Sequence, residues 1–453
     1  MNQELWNKIL AFDFDSPAAE YGFSIRLASE NYWTKEFTGQ AILEYRKFMY
    51  LAATSDFMVS PSEIVDNVWH QHLIFTQSYQ DFCSLLGKQV QHIPSTHNKS
   101  DFQKFKQAKE RTIQFYERDF GQQPPNIWGC NDMFESLRLA KARFKLRTFL
   151  IFGILTFICL TVPAYYLLKP VYVHIDNPFF IIGFIVLTIV TFLALEFYNK
   201  GKMRQIVGQA DKSSFIYDLQ PYELVYLKTQ KLSAVIDGTV NELVDSEVIR
   251  INLDNTLELD KRNATANDSE LQVTSVLSES GTCFYPVLLR QLTVKPIFRN
   301  IPNSMDAFRK YFNKSEKFGW LFYTNFTALA ILLLLSFTRM ATGIMREKPV
   351  VQILIATLVL AAGMVFFLLR LTRQVCTATI PDLYKNEILP ARKIENSWQW
   401  TYFLFGTAVL ATPFVPLVNY VNRNNGDGGS GTSSCGSSCG SSCSSCGGCG
   451  GGD

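Results

Sequence analysis

"TFLIFGILTFICLTVPAYYLL", residues 148–168, contains no charged side chain. A bilayer hydrocarbon core of roughly 30 Å is crossed by about 20 apolar residues of α-helix. Four more uncharged stretches follow at residues 177–195, 318–338, 349–369 and 397–422. The sequence therefore predicts a mainly α-helical protein with five transmembrane helices. The last of them is unusual, because Pro413 and Pro416 would bend it.

The composition of the whole chain agrees with a membrane protein. Its 453 residues are 47% hydrophobic and only 18% charged, which is too apolar for an ordinary soluble protein of this size. The first 147 residues begin polar and lack the basic segment and short apolar run of a signal peptide. We therefore expect the first span to be internal. The net charge of +3 is small and does not indicate a nucleic-acid partner.

Basic residues flanking the spans predict their orientation. Four precede the first span: Lys141, Arg143, Lys145 and Arg147. The loop after that span carries only Lys169 and Asp176. By the positive-inside rule the N-terminal domain is cytoplasmic in a bacterial inner membrane, and similar charges keep the middle segment there. Five spans would then place the C-terminal tail outside.

The predicted spans divide the chain into seven parts. In chain order they are a cytoplasmic helical domain (1–146), two spans (148–198), a cytoplasmic middle domain (200–316), two spans (318–369), a cytoplasmic loop (370–396), the fifth span (397–422) and a tail (423–453).

The N-terminal domain contains a helix with clear start and stop signals. Ser60 is a suitable N-cap, Pro61 suits the first helical position, and Glu63 completes a capping box. The helix is expected to run to about Leu86, where Gly87 can end it.

Within this helix, "VDNVWHQHL" at residues 65–73 suggests a metal site. Positions two apart on a helix point roughly 200° apart, so His70 and His72 cannot readily share one ion. Asp66 and His70, four apart, lie on one face. The loop after the helix adds two more histidines. The candidate ligands are Asp66, His70, His72, His92 and His97, and the expected ion is Zn²⁺ or another divalent transition metal.

A second interpretation of the same residues needs no metal. Trp69 and His72 would pack in the core, and Asp66 would only orient His70. Val65, Trp69, His72, Thr76, Tyr79 and Cys83 follow the spacing of one helix face, which we call the apolar face. Because Cys83 continues this face, it is not predicted to be a catalytic thiol. We assign no catalytic residue, and the sequence favours a role other than catalysis.

The histidine helix resembles a known family. "VDNVWHQHLIFTQSYQDFC" with the later "HIPSTH" is similar to the bacterial branch of the glycine-rich domain-containing proteins, over roughly residues 18–130. The matching residues are Val65, Asp66, Trp69, His70, His72, Leu73, Tyr79 and Cys83. The family often has two adjacent histidines where this chain has Gln91 and His92. The resemblance implies a folded helical domain and brings no established chemistry.

The middle domain is predicted to be a small α+β unit that resembles a winged helix. Two helical segments, 220–230 and 232–249, precede two short strands in 250–260. Residues 211–280 contain 13 acidic and 6 basic residues, a net charge of −7. This charge is wrong for a phosphate-binding surface, so a nucleic-acid partner is not expected. A structural or protein-interaction role is predicted instead.

The tail is rich in Gly, Ser and Cys and is expected to be disordered. "PYELVYL" at residues 221–227 opens the middle domain, membrane helices flank that domain, and the Gly/Cys tail ends the chain. In this order of parts, from about residue 140 onward, the chain resembles an uncharacterised bacterial membrane-protein family with a Gly- and Cys-rich C-terminus. The tail thiols are Cys435, Cys439, Cys443, Cys446 and Cys449. They could form disulfides outside the cytoplasm, bind Zn²⁺ or Cu⁺, or be substrates for ring-forming modification. The remaining alternative is a flexible tether.

Together these patterns predict a multi-pass membrane protein that acts in interaction or assembly. Its expected partners are the lipid bilayer and other proteins. The predicted spans contain no ionisable residue of the kind that ion transport requires. Two alternatives remain open: a metal-dependent enzyme that uses the histidine cluster, and a carrier of a modified tail.

Overall fold

The computed structural model describes residues 1–16, 19–93, 102–260, 267–392 and 397–426, and these residues are mainly helical. The N-terminal domain consists of α1 (Gln3–Ala11), α2 (Phe23–Asn31), α3 (Lys35–Thr54), α4 (Glu63–Ile74), α5 (Thr76–Leu86), α6 (Phe102–Phe120) and α7 (Pro125–Trp128). Two long helices follow, α8 (Leu146–Val173) and α9 (Asn177–Gly208).

The middle domain comes next in the chain. It contains α10 (Pro221–Thr229), α11 (Leu232–Asp245), β1 (Ile249–Ile251), β2 (Thr256–Leu259), α12 (Asp268–Ser280), β3 (Thr282–Phe284), α13 (Tyr285–Leu292) and α14 (Pro296–Asn313). The last elements are α15 (Glu316–Ile344), α16 (Val351–Gln374), α17 (Ile380–Leu383), α18 (Leu389–Arg392), α19 (Trp398–Phe405) and α20 (Val415–Gly426). Two π-helical turns join α16, α17 and α18 into one continuous helix.

Four helices are long and apolar enough to cross a membrane, among the residues that the structure describes. They are Leu146–Val173, Pro178–Gly208, Glu316–Ile344 and Val351–Arg392. A helix rises about 1.5 Å per residue, so the shortest of them is about 42 Å long and exceeds a hydrocarbon core. These helices correspond to the first four predicted spans.

Residues 397–422, the predicted fifth span, do not form a helix of membrane length. They contain the eight-residue α19, a short 3₁₀ turn and the start of α20. This segment packs on the middle domain: the Tyr402 hydroxyl donates to the Ala234 carbonyl (2.8 Å), and Ala411 N–H donates to Asn241 Oδ1 (2.7 Å). Several of its apolar residues, among them Phe403, Phe414 and Val418, are therefore buried by protein, whereas Phe405 is exposed.

The middle domain has the predicted order of two helices followed by a hairpin. The strands β1 and β2 pair antiparallel, with Ile249 opposite Leu259. A third strand, β3, was not predicted and pairs antiparallel with β2, so the sheet order is β1-β2-β3. It is only three residues long, directly after α12, which is too short for a period-two pattern to be recognised.

The histidine helix begins and ends differently from the prediction. Its N-cap is Ser62, whose hydroxyl accepts from Val65 N–H, whereas Ser60 donates its own N–H to Thr112. The predicted single helix is interrupted at Phe75, which separates α4 from α5. The predicted stop is confirmed, because Gly87 ends α5 with a left-handed φ of 70°.

The N-terminal and middle domains contact each other. Lys295 Nζ lies 2.6 Å from Glu20 Oε2, and Asn300 Nδ2 donates to the Trp33 carbonyl (3.2 Å). In addition, Glu223 Oε1 accepts from Lys35 N–H (3.3 Å) at the first residue of α3. The candidate site therefore belongs to a domain that packs on the middle domain.

Candidate functional site

The helix α4 presents Asp66 and His70 on one face. The two residues are one helical turn apart, and His70 Nδ1 lies 3.7 Å from Asp66 Oδ2. The His70 side chain is 54% exposed and that of Asp66 is 27% exposed, so both groups can be reached from solvent. This part of the site is a local property of the helix, as the i, i+4 spacing predicts.

His92 joins this pair from the segment after α5. Its Nε2 lies 3.0 Å from Asp66 Oδ1, and its ring centroid is 4.4 Å from that of His70. One ligand atom from each of Asp66, His70 and His92 lies within 4.8 Å of the other two. We call these three residues the histidine–aspartate cluster.

The spacing of the cluster suits a small divalent ion. Zinc binds imidazole nitrogen and carboxylate oxygen at about 2.0–2.2 Å, which places tetrahedral ligand atoms about 3.4 Å apart. His92 Nε2 lies 3.0 Å from Asp66 Oδ1, and His70 Nδ1 lies 3.7 Å from the other carboxylate oxygen, Oδ2. One ligand atom from each of the three residues lies within 4.8 Å of the other two, which is close to this separation. The 3.0 Å contact of His92 with Asp66 is also a normal hydrogen bond. The cluster can therefore hold a metal or act as a carboxylate–histidine pair without one.

A cleft of about 460 Å³ adjoins the cluster. Asp66 and His92 contribute to its wall, together with the Trp69 ring. Glu63, one turn before Asp66 on α4, and Lys88 line the same cleft. An ion in the cluster would thus be accessible to small molecules.

His72 lies apart from the cluster, in the domain core. It is fully buried, and hydrogen bonds join its Nδ1 to the Tyr45 hydroxyl (2.9 Å) and its Nε2 to the Ser78 hydroxyl (3.1 Å). The rings of Phe14 and Phe23 contact it edge-on. Burial lowers the pKa of His72 to about 4, so this imidazole is neutral at pH 7.

The other members of the predicted apolar face are also buried, apart from one. Val65, Trp69, Tyr79 and Cys83 are buried, whereas Thr76 is exposed beside the break between α4 and α5. The predicted ligand His97 lies outside the described residues. The five tail thiols, Cys435, Cys439, Cys443, Cys446 and Cys449, also lie outside them.

Sequence reasoning missed two groups of interest. Lys88 reaches the carbonyls of Ala52 and Ser55, and nothing in its local sequence indicates these distant partners. It also missed the buried carboxyls of the middle domain: burial raises the pKa of both Glu223 and Asp237 to about 7. In the sequence, Glu223 is recognisable only as an acidic residue in the first turn of a helix that begins at Pro221.

The comparisons with known proteins point to this part of the chain. A family model described as UCP032817-like matches residues 27–116, which include α3, α4, α5 and all three residues of the cluster. No curated protein and no solved structure matches the chain. The chain is thus similar to the UCP032817-like family over its histidine region.

Proposed function

We propose that this protein is a multi-pass membrane protein whose N-terminal helical domain binds a divalent transition metal at Asp66, His70 and His92. The observation that supports the proposal is the convergence of three ligand atoms within 4.8 Å beside an open cleft. Two imidazoles and one carboxylate form a donor set that suits zinc. If the protein acts in interaction or assembly, a side chain of the partner protein would enter the cleft and complete the coordination of the ion.

The test measures bound metal on the full chain in detergent. All variants carry serine in place of the five tail cysteines, so that tail thiolates cannot bind the ion. After incubation with Zn²⁺ and dialysis, mass spectrometry should find about one ion per chain. His70→Ala should lose most of it. His174→Ala is the matched control, because His174 is exposed, lies outside the cluster and contacts the Pro170 carbonyl. If the parent protein contains no metal after this treatment, the proposal is wrong.

A metal-dependent enzyme is the second candidate function. Three protein ligands leave a coordination position for water, which is typical of catalytic zinc sites. The cleft beside Asp66 and His92 favours this alternative. Loading with Co²⁺ tests it: added azide should change the visible spectrum if an exchangeable position faces the cleft. An unchanged spectrum would favour a closed, structural site.

We further propose that the four long helices cross the membrane and that all folded domains lie on its cytoplasmic side. The positive-inside pattern supports the orientation. The contacts between the N-terminal and middle domains support a shared side. The packing of residues 397–422 on the winged-helix-like middle domain supports four spans instead of five. The tail would then begin on the cytoplasmic side, in contrast to the expectation from five spans.

Thiol labelling in intact cells tests this topology. A membrane-impermeant maleimide should label the tail cysteines only after the cells are permeabilised. An Asp176→Cys variant in the short α8–α9 connection is the control and should react in intact cells. Labelling of the tail in intact cells would contradict this topology and favour five spans with the tail outside.

A further inference from the structure

The third ligand of the cluster lies on a segment without regular secondary structure. Residues 89–93 follow the end of α5 and form neither helix nor strand. His92 is nevertheless mostly buried, with 15% of its side chain exposed. Something other than local hydrogen bonding must therefore hold its imidazole beside Asp66.

One anchor of this segment is the Tyr79 hydroxyl. It donates a hydrogen bond to the Val90 carbonyl, two residues before His92, and it accepts one from Trp69 Nε1 (3.1 Å). The Trp69 ring in turn packs edge-on against the His92 imidazole, with centroids 4.6 Å apart. A single hydroxyl thus fixes both the backbone before His92 and the ring beside it.

The second anchor is Lys88. Its ammonium group donates to the carbonyls of Ala52 (2.9 Å) and Ser55 (2.7 Å) at the end of α3. Carbonyl groups at the end of a helix have no N–H donor from a following helical turn, so a cation is favourable there. The segment that carries His92 is therefore held to the core at Val90 and to α3 at Lys88.

We propose that Tyr79, assisted by Lys88, is a positioning residue that preorganises His92 for metal binding. The inference rests on the proposed metal site. Without the hydroxyl, the buried Trp69 N–H and Val90 carbonyl would lose their partner, and His92 would gain freedom. Groups that orient metal ligands typically change metal affinity 10- to 100-fold when removed. Trp69 of α4 and Tyr79 of α5 thereby act on the site and also on the core.

Titration calorimetry with Zn²⁺ tests the proposal on the full chain in the background without tail thiols. Tyr79→Phe should weaken zinc affinity about 10- to 100-fold with the stoichiometry kept. The matched control is Tyr45→Phe, which removes another buried hydroxyl bonded to a histidine, His72, outside the cluster. Tyr45→Phe should lower the melting temperature and leave the affinity unchanged.

Each outcome has a defined meaning. Equal zinc affinities for the parent and Tyr79→Phe would overturn the positioning role. If Tyr79→Phe does not fold, Lys88→Met decides in its place, since Lys88 is exposed: a weaker affinity supports the proposal and an unchanged one overturns it. If the parent protein itself does not bind zinc, the proposed metal site is wrong. His92→Ala removes a ligand and should abolish zinc binding altogether, whereas the loss of a positioning residue should only weaken it.

Discussion

His92 Nε2 lies 3.0 Å from Asp66 Oδ1, although 26 positions separate the two residues in the chain. The contact joins α4 to the segment after α5 and creates a site that neither element contains alone. A bound ion would add a further link between the two elements. The stability of the protein should depend on this arrangement and on buried polar groups elsewhere in the fold.

Zinc should raise the stability of the folded protein through the cluster. A ligand that binds only the native state at 100 times its Kd adds about 2.7 kcal/mol. We expect the apparent melting temperature in detergent to rise with Zn²⁺ and to return after chelation. The rise should be absent in His92→Ala. An equal rise in that variant would place the bound ion elsewhere.

His72 should make the N-terminal domain sensitive to acid. Its pKa is about 4 in the fold, below the ordinary value of 6.5. The unfolded state therefore binds the proton more readily, and stability present above pH 6.5 is lost as the pH falls toward 4. The shift corresponds to about 3 kcal/mol. In His72→Gln, the loss of stability between pH 7 and 4 should be shallower, as measured by thermal unfolding. Parallel pH profiles would contradict the assignment.

Glu223 should have the opposite pH dependence. Burial raises its pKa from 4.5 to about 7, while its carboxylate accepts N–H groups from Gln220 and Lys35. The folded state holds the proton more tightly, so this stability is present below pH 4.5 and lost as the pH rises through 7. Glu223→Gln should flatten the decline in melting temperature between pH 5 and 8. Exposed Glu36, which bonds to Gln220 at the same domain contact, is the control: its charge raises the pKa of Glu223 less than burial does, so Glu36→Gln should alter the decline much less than Glu223→Gln.

Two buried asparagines should couple α9 to α15. Asn199 and Asn325 exchange side-chain amide hydrogen bonds of 2.9 and 2.7 Å, and both are fully buried. Asn325→Leu leaves Asn199 without its partner and should cost about 1–2 kcal/mol in detergent unfolding. The double variant with Asn199→Leu should cost less than the sum of the single ones. Exposed Thr324 is the control, and Thr324→Leu should have little effect. Strict additivity would show that the two amides are not coupled.

Local composition determined much of this fold. Uncharged stretches of about 20 residues became long helices in four cases, because an apolar helix satisfies its own backbone hydrogen bonds wherever it lies. The helix pair and hairpin of the middle domain followed from periodicity and turn residues in the same way. The i, i+4 pair of Asp66 and His70 is likewise a property of one helix.

Only the tertiary structure decided three other features. Residues 397–422 are as apolar as a span, but their partner is the middle domain, and composition cannot distinguish a protein core from lipid. His70 and His72 differ by two positions, yet one is exposed in the cluster and the other is buried against Tyr45. His92 reaches Asp66 because Tyr79 and Lys88 hold its segment, through hydrogen bonds between residues distant in sequence. Such long-range contacts leave no period in the sequence, so they could be found only once the chain was folded.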